Sequence, residues 1–154
     1  MRLTVMTDYA LRVLMYAATA PERLVTVDEI ARAYAISGNH LTKVVQELAR
    51  HGFVETLRGR GGGLRLAQPV DTITIGSVVR AMEEDFGLVE CFRTGDTCCL
   101  TPVCRLRRAL DDALRDFLAA LDRRSLADLV AQPKALLASL QEARGHTGGE
   151  LARG

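Results

Sequence analysis

Apolar residues fall at helical spacing from the first turns of the chain. Leu11, Leu14, Met15 and Ala18 share one face of a helix predicted over Thr7 to Ala18, and Pro21 ends it. Thr26-Val-Asp-Glu29 is a capping box, so a second helix starts there and runs to about Tyr34. After a tight Ala35-Ile36 connection, Ser37 is expected to cap a third helix. Leu41, Val44, Val45 and Leu48 line one side of it, and Gly52 stops it. Two helices joined by a short turn, the second apolar on one side and polar on the other, form a helix-turn-helix pattern.

Next come two short apolar stretches, Phe53 to Leu57 and Leu64 to Ala67, around Arg58-Gly-Arg60-Gly-Gly-Gly63. This reads as a β-hairpin wing with a Gly- and Arg-rich tip. Pro69 to Thr74 links it to another amphipathic helix, Ile75 to about Glu84. Thr101-Pro102 is expected to open a long helix running to about Arg123, because Pro is tolerated at the first helical position. Its stripe of Leu106, Leu110, Ala113, Leu114, Phe117 and Leu121 exceeds what a chain of this size needs for its own core, so it is expected to pack against a second copy. Ser125 caps a short helix, and Lys134 to Ala143 forms another. Gly145 to Gly154 reads as a loose polar tail.

The fold class expected is mainly α: a winged helix-turn-helix DNA-binding domain over residues 1–74, a cysteine loop and dimerisation helices over 75–130, and a C-terminal helix with its tail over 131–154.

Charge sharpens this picture. The 154 residues carry a net charge of only +1, so bulk electrostatic coating of nucleic acid is not expected. Between Ser37 and Arg65, however, Lys43, Arg50, Arg58, Arg60 and Arg65 face only Glu47 and Glu55. The exposed side of the third helix adds Ser37, Asn39, His40, Thr42, Lys43 and Gln46, groups able to hydrogen-bond base edges or phosphates. Arg58 and Arg60 would enter a minor groove, with Gly61 and Gly62 allowing close backbone approach. The plain alternative is that these arginines are solvated loop charges. The glycine run is not a phosphate-binding loop, since it precedes a strand and lacks the following Lys-Ser/Thr. No Ser/His/Asp or paired-carboxylate arrangement stands out, so an enzyme is not expected.

Met1 to Asp8 lacks the apolar run of a signal peptide, and no stretch reaches membrane-spanning length. A cytoplasmic protein is expected, in which thiols stay reduced and four cysteines point to metal or redox chemistry. Cys91, Cys98, Cys99 and Cys104 fall within fourteen residues. There is no Cys-x-x-Cys knuckle of the kind that holds structural zinc. Adjacent Cys98 and Cys99 rarely both reach one ion. Three usable thiolates with a weak fourth ligand suit an iron–sulfur cluster, with inert buried thiols as the alternative.

Taken together, Met6-Thr-Asp-Tyr-Ala-Leu-Arg12, Leu41 to Leu48, Arg58-Gly-Arg-Gly-Gly-Gly-Leu-Arg-Leu66, Glu90-Cys-Phe92 and Cys98-Cys-Leu-Thr-Pro-Val-Cys-Arg-Leu106 resemble the bacterial family of winged-helix iron–sulfur repressors, up to about Ser125. Within it the sequence is most similar to the nitrite-sensitive, nitric-oxide-sensing branch. The resemblance implies a cluster on Cys91, Cys98 and Cys104, with 4Fe–4S favoured and 2Fe–2S open. Cys98 is preferred because its distance to Cys104 matches the family spacing; Cys99 departs from the family pattern and is a possible substitute. The branch that regulates cluster biogenesis has a His ligand three residues after its last Cys. Here that position is Arg107, which argues against that branch.

The resemblance draws the fourth ligand from Asp8 of the other subunit. On pattern alone Asp8 is simply a first-turn carboxylate favoured by the helix dipole. What is implied is a homodimeric repressor on a palindromic operator that releases DNA when nitric oxide attacks the cluster. Two other readings stay open: a cluster-bound regulator answering to iron, cysteine or redox status, and a small iron–sulfur carrier or scaffold.

Overall fold

The computed structural model describes residues 2–92 and 98–147. Helix α1 (Val5–Ala18) begins earlier than its apolar spacing predicts, because Thr4 caps it by accepting the Thr7 N–H at 3.3 Å. The Thr26 capping box starts α2 (Val27–Tyr34), with Glu29 reaching back to the Thr26 N–H at 2.7 Å. Ala35 then takes a left-handed conformation, φ 52°, which turns the chain into α3 (Gly38–Arg50) within three residues. Ser37 occupies the N-cap position of α3, but its side chain makes no capping hydrogen bond.

The wing is an antiparallel pair, β1 (Val54–Leu57) and β2 (Gly63–Leu66), in register Val54↔Leu66 to Leu57↔Gly63. Val25, just before α2, bonds Leu64 in both directions at 2.9 and 2.8 Å, so the wing is hydrogen-bonded to the helical body. Helix α4 (Ile75–Met82) returns across α1. One apolar core joins Leu14 of α1, Ile30 of α2, Leu41 and Leu48 of α3, Leu64 of β2, Val78 of α4 and Leu126. Burying each such aliphatic side chain contributes about 1.5–3 kcal/mol.

Two short 3₁₀ turns, Glu90–Phe92 and Thr101–Val103, precede α5 (Arg105–Asp122). The long helix therefore starts four residues later than Thr101-Pro102 implies. Pro102 sits in the separate 3₁₀ turn, and Cys104, extended at φ −71° and ψ 110°, is the N-cap of α5. No residue of α5 is buried, and Leu106 is 65% exposed. The far end of α5 is pinned to the winged unit: Ile75 N–H donates to the Arg124 carbonyl, and Leu126 N–H to Ile73, both at 2.8 Å. Arg80 grips Asp122 with two hydrogen bonds, at 2.5 and 2.7 Å, and the absence of a Cβ at Gly76 makes room for Asp122.

A second capping box, Ser125 with Asp128, starts α6 (Leu126–Leu129). Helix α7 (Pro133–Thr147) packs on α2 and continues past Gly145, where a loose tail was expected. Residues 148–154 of that tail lie outside the described residues.

Candidate functional site

The apolar spacing of α3 decides what it presents outward. Leu41, Val44, Val45 and Leu48 are buried, so Asn39, His40, Thr42, Lys43 and Gln46 stand exposed on the opposite side, with Ser37 exposed just ahead of the helix. Thr42 is less free than its exposure suggests. Its hydroxyl donates to the Gly38 carbonyl at 2.9 Å, leaving an acceptor lone pair and a methyl group for an external partner.

The hairpin tip explains its own glycines. Gly59 and Gly61 have φ of 98° and 80°, a region that L side chains avoid. The Gly62 N–H closes the turn on the Gly59 carbonyl at 3.0 Å, and a Cβ at Gly62 would collide with the Leu57 carbonyl. Close approach is needed inside the turn itself, whatever lies outside it.

Ion pairing sorts the basic residues of this region. Arg50 is held by Glu47 at 2.9 and 2.5 Å, and Arg65 by Glu55 at 3.0 and 2.8 Å. Lys43, Arg58 and Arg60 are exposed and have no such partner among the described residues. The cations available to a phosphate therefore sit on the outward face of α3 and at the wing tip.

All four cysteines are thiols rather than disulfide halves. Cys91 lies in the first 3₁₀ turn and is half-buried; Cys98 and Cys99 are exposed; Cys104 is half-buried at the head of α5. The Cys104 sulfur accepts the Arg107 N–H at 3.4 Å, the capping role a Ser or Asp oxygen usually takes. A helix N-terminus favours the thiolate, the form that binds metal. Beside Cys104 opens a cleft of about 680 Å³, walled by Phe86, Phe92, Arg107 and Asp111 among others. Among the described residues no three His, Cys, Asp or Glu side chains are gathered at metal-holding distance. Residues 93–97, between Cys91 and Cys98, lie outside the described residues. The donor set, cysteine thiols with one at a helix N-terminus, fits an iron–sulfur cluster chemically.

Asp8 is exposed on the first turn of α1 and belongs to no cluster of three metal-ligating side chains among the described residues. It pairs with Arg12, whose guanidinium lies 6.0 Å from the ring centre of Tyr9 and 5.7 Å from that of Tyr34. The Asp8–Arg12 spacing of four was readable as a helical ion pair. Two features had no local signal. One is the Tyr34 hydroxyl, shut off from solvent and without a partner among the described residues, on a ring whose ionisation burial pushes up against the opposing pull of Arg12. The other is Glu83, which binds the start of α1 from 79 and 76 residues away.

Against known proteins, residues 3–132 match the Rrf2 family, described as iron-dependent transcriptional regulators. The HTH-type transcriptional regulator NsrR of Geobacillus kaustophilus is 50% identical over 147 residues, covering 94% of this chain and all of that one. Its Bacillus subtilis counterpart is 47% identical over 143 residues, 92% of this chain and 98% of that one. Among solved structures, CymR, the global cysteine regulator of B. subtilis, superposes with a TM-score of 0.66 at 26% identity, over 85% of this chain and 97% of that one. IscR of T. potens, at 21% identity, shares the fold with a TM-score of 0.68, over 85% and 87% of the two chains. A winged helix-turn-helix fold and a transcriptional rather than enzymatic role follow, and the carrier reading falls away. The chain belongs to the Rrf2 family of transcriptional regulators.

Proposed function

We propose that this chain is a cytoplasmic, homodimeric repressor that binds a palindromic operator and releases it when nitric oxide reaches an iron–sulfur cluster held at the dimer interface. Identity of about half the residues to regulators named NsrR, over nearly the full length, supports the nitric-oxide reading. The single observation that carries the mechanism is the place of Cys104. It caps α5, an 18-residue helix with no buried residue, so a ligand site and a surface awaiting a second copy share the same helix.

Each residue has a task in this reading. Cys91, Cys98 and Cys104 supply thiolates, with Cys99 in reserve, and Asp8 reaches across from the other subunit as the fourth, weaker ligand. When bound, the cluster, 4Fe–4S rather than 2Fe–2S, supplies iron that reacts with nitric oxide. Leu106, Leu110 and Leu114 of α5 meet their copies and set the spacing of the two reading heads. Asn39, His40, Thr42 and Lys43 of α3, with Ser37, face a major groove. Arg58 and Arg60, presented by Gly61 and Gly62, face the adjacent minor groove. Release of Asp8 frees α1, and with it the α2–α3 unit packed on it, to leave operator register.

The likeness to the cysteine regulator CymR keeps a second reading in view, in which iron, cysteine or redox status is the signal. Oxygen-free preparation followed by nitric oxide titration, with the visible spectrum and operator binding tracked together at fixed salt, separates the two. Loss of operator binding in step with bleaching, at nitric oxide levels where peroxide does nothing, supports the nitric-oxide reading. Equal response to peroxide or to iron chelation supports the other.

A further inference from the structure

Glu83 ends one helix with its backbone and starts another with its side chain. Its N–H closes α4 on the Val79 carbonyl at 3.0 Å. Its Oε1 accepts three hydrogen bonds from the head of α1: the Thr4 N–H at 2.7 Å, the Thr4 hydroxyl at 3.1 Å and the Thr7 hydroxyl at 2.5 Å. Thr7 is fully buried, so the last of these is a charge-assisted bond shielded from water on one side. Thr7 is followed directly by Asp8, and Glu83 stands eight residues before Cys91. A single carboxylate thus ties the turn that carries Asp8 to the stretch of chain that leads to the thiols.

We infer that Glu83 is a positioning residue that transmits cluster occupancy to the DNA-reading unit, by holding the Asp8 turn of α1 to the segment leading into Cys91. The inference rests on the cluster-gated reading above and deepens it. In the dimer, Asp8 of one subunit serves the thiols of the other. The Glu83 clamp then links, inside each subunit, the arm lent to the partner with the segment holding its own thiols. Movement of either reaches α1, and α3 packs directly on α1. A fastening of three hydrogen bonds transmits displacement, whereas apolar contacts alone would let α1 slide over α4.

The test compares Glu83→Ala, Glu83→Gln and wild type as full-length protein, each with and without its cluster, measuring operator dissociation constants at fixed salt together with bound iron. The ratio of cluster-free to cluster-loaded dissociation constant is the coupling. A wild-type ratio of one sinks the cluster-gated reading itself, before any variant is considered, and leaves Glu83 a helix cap only. With a wild-type ratio well above one, Glu83→Ala is expected to cut it by about fivefold or more at unchanged iron content. Glu83→Gln keeps a carbonyl oxygen for the three donors and is expected to restore most of the coupling. A purely structural role would weaken both dissociation constants alike and leave the ratio untouched, which overturns the inference. Iron loss in both variants also overturns it, since Glu83 would then be a ligand.

Hydrogen exchange on the cluster-free protein gives an independent reading. Amides of the first turn of α1 should exchange faster in Glu83→Ala and not in Glu83→Gln; equal exchange in all three contradicts the clamp. If Glu83→Ala does not fold, Thr7→Val breaks the 2.5 Å bond from the other side at nearly constant volume, and the same fall in ratio is expected.

Discussion

The Asp8 carboxylate holds the Arg12 guanidinium one helical turn further on, Oδ2 to Nη2 at 2.9 Å and Oδ1 to Nε at 3.2 Å. Both oxygens are occupied, so a metal ion would have to compete with an ion pair for this ligand. The pair is half-exposed and worth only about 0.5 kcal/mol to folding, which makes it easy to displace. Asp8→Ala is therefore expected to leave the melting temperature of the cluster-free protein nearly unchanged. In the cluster-loaded protein it should bring operator affinity down to the cluster-free level. Parallel melting curves and operator titrations check this; an unchanged nitric oxide response would remove Asp8 from the mechanism.

The wing arginines differ in what they already hold. Arg65 is committed to Glu55, whereas Arg60 is exposed at the hairpin tip without an ion-pair partner among the described residues. Arg60→Ala should weaken operator binding and reduce the slope of log affinity against log salt by about one, as expected for one lost phosphate contact. Arg65→Ala should change that slope little. The two salt titrations, run side by side, decide whether pairing within the hairpin governs which arginine is available.

Tyr34 closes α2 with a hydroxyl that has no hydrogen-bond partner among the described residues, its ring edge-on to Tyr16 at 6.3 Å. A buried polar group without a partner costs about 1–3 kcal/mol. Tyr34→Phe keeps the ring and the stacking of Arg12, and is expected to leave stability unchanged or raise it by about 1 kcal/mol. Denaturant unfolding measures this. A clear loss of stability would mean that the hydroxyl finds a partner in the assembled dimer.

Helix α5 carries Leu106 at 65% exposure on a face that includes Leu110 and Leu114. Burying one leucine is worth about 1.5–3 kcal/mol, and a twofold interface uses it twice. Leu106→Asp should raise the dimer dissociation constant by at least about a hundredfold and abolish tight binding to a full palindrome. Sedimentation velocity over a concentration series reads the first effect directly. An unaltered dimer would move the interface away from α5.

Local chemistry made much of this architecture readable in advance. The Thr26–Glu29 and Ser125 caps are each written within four consecutive residues, and both start helices where expected. The four-residue apolar stripe of α3 fixes its buried side. The glycine run between two apolar stretches places the wing, since the φ of 98° and 80° at positions 59 and 61 strongly favours glycine. The pattern fails where the deciding partner is remote. Helix α1 begins before Thr7 because Thr4 is capped in concert with Glu83, a residue 79 positions away. Helix α5 begins after Thr101-Pro102 because Cys104, not Thr101, is its N-cap and accepts the Arg107 N–H of the first turn. Ala35 adopts a left-handed conformation with nothing in its identity to announce it; the tight turn between two packed helices imposes it. In the candidate site, spacing singled out the thiols and the outward face of α3. It did not distinguish free from paired arginines, because Glu55 and Arg65 meet only across the hairpin register.

Whether the cluster gates DNA binding is decided by a pair of operator dissociation constants at one salt concentration, from a single oxygen-free preparation before and after its iron and sulfide are removed. Binding should be substantially tighter with the cluster in place, and stoichiometric nitric oxide should remove that advantage. Equal affinity in the two states, or a preparation that never holds iron and sulfide, would contradict it.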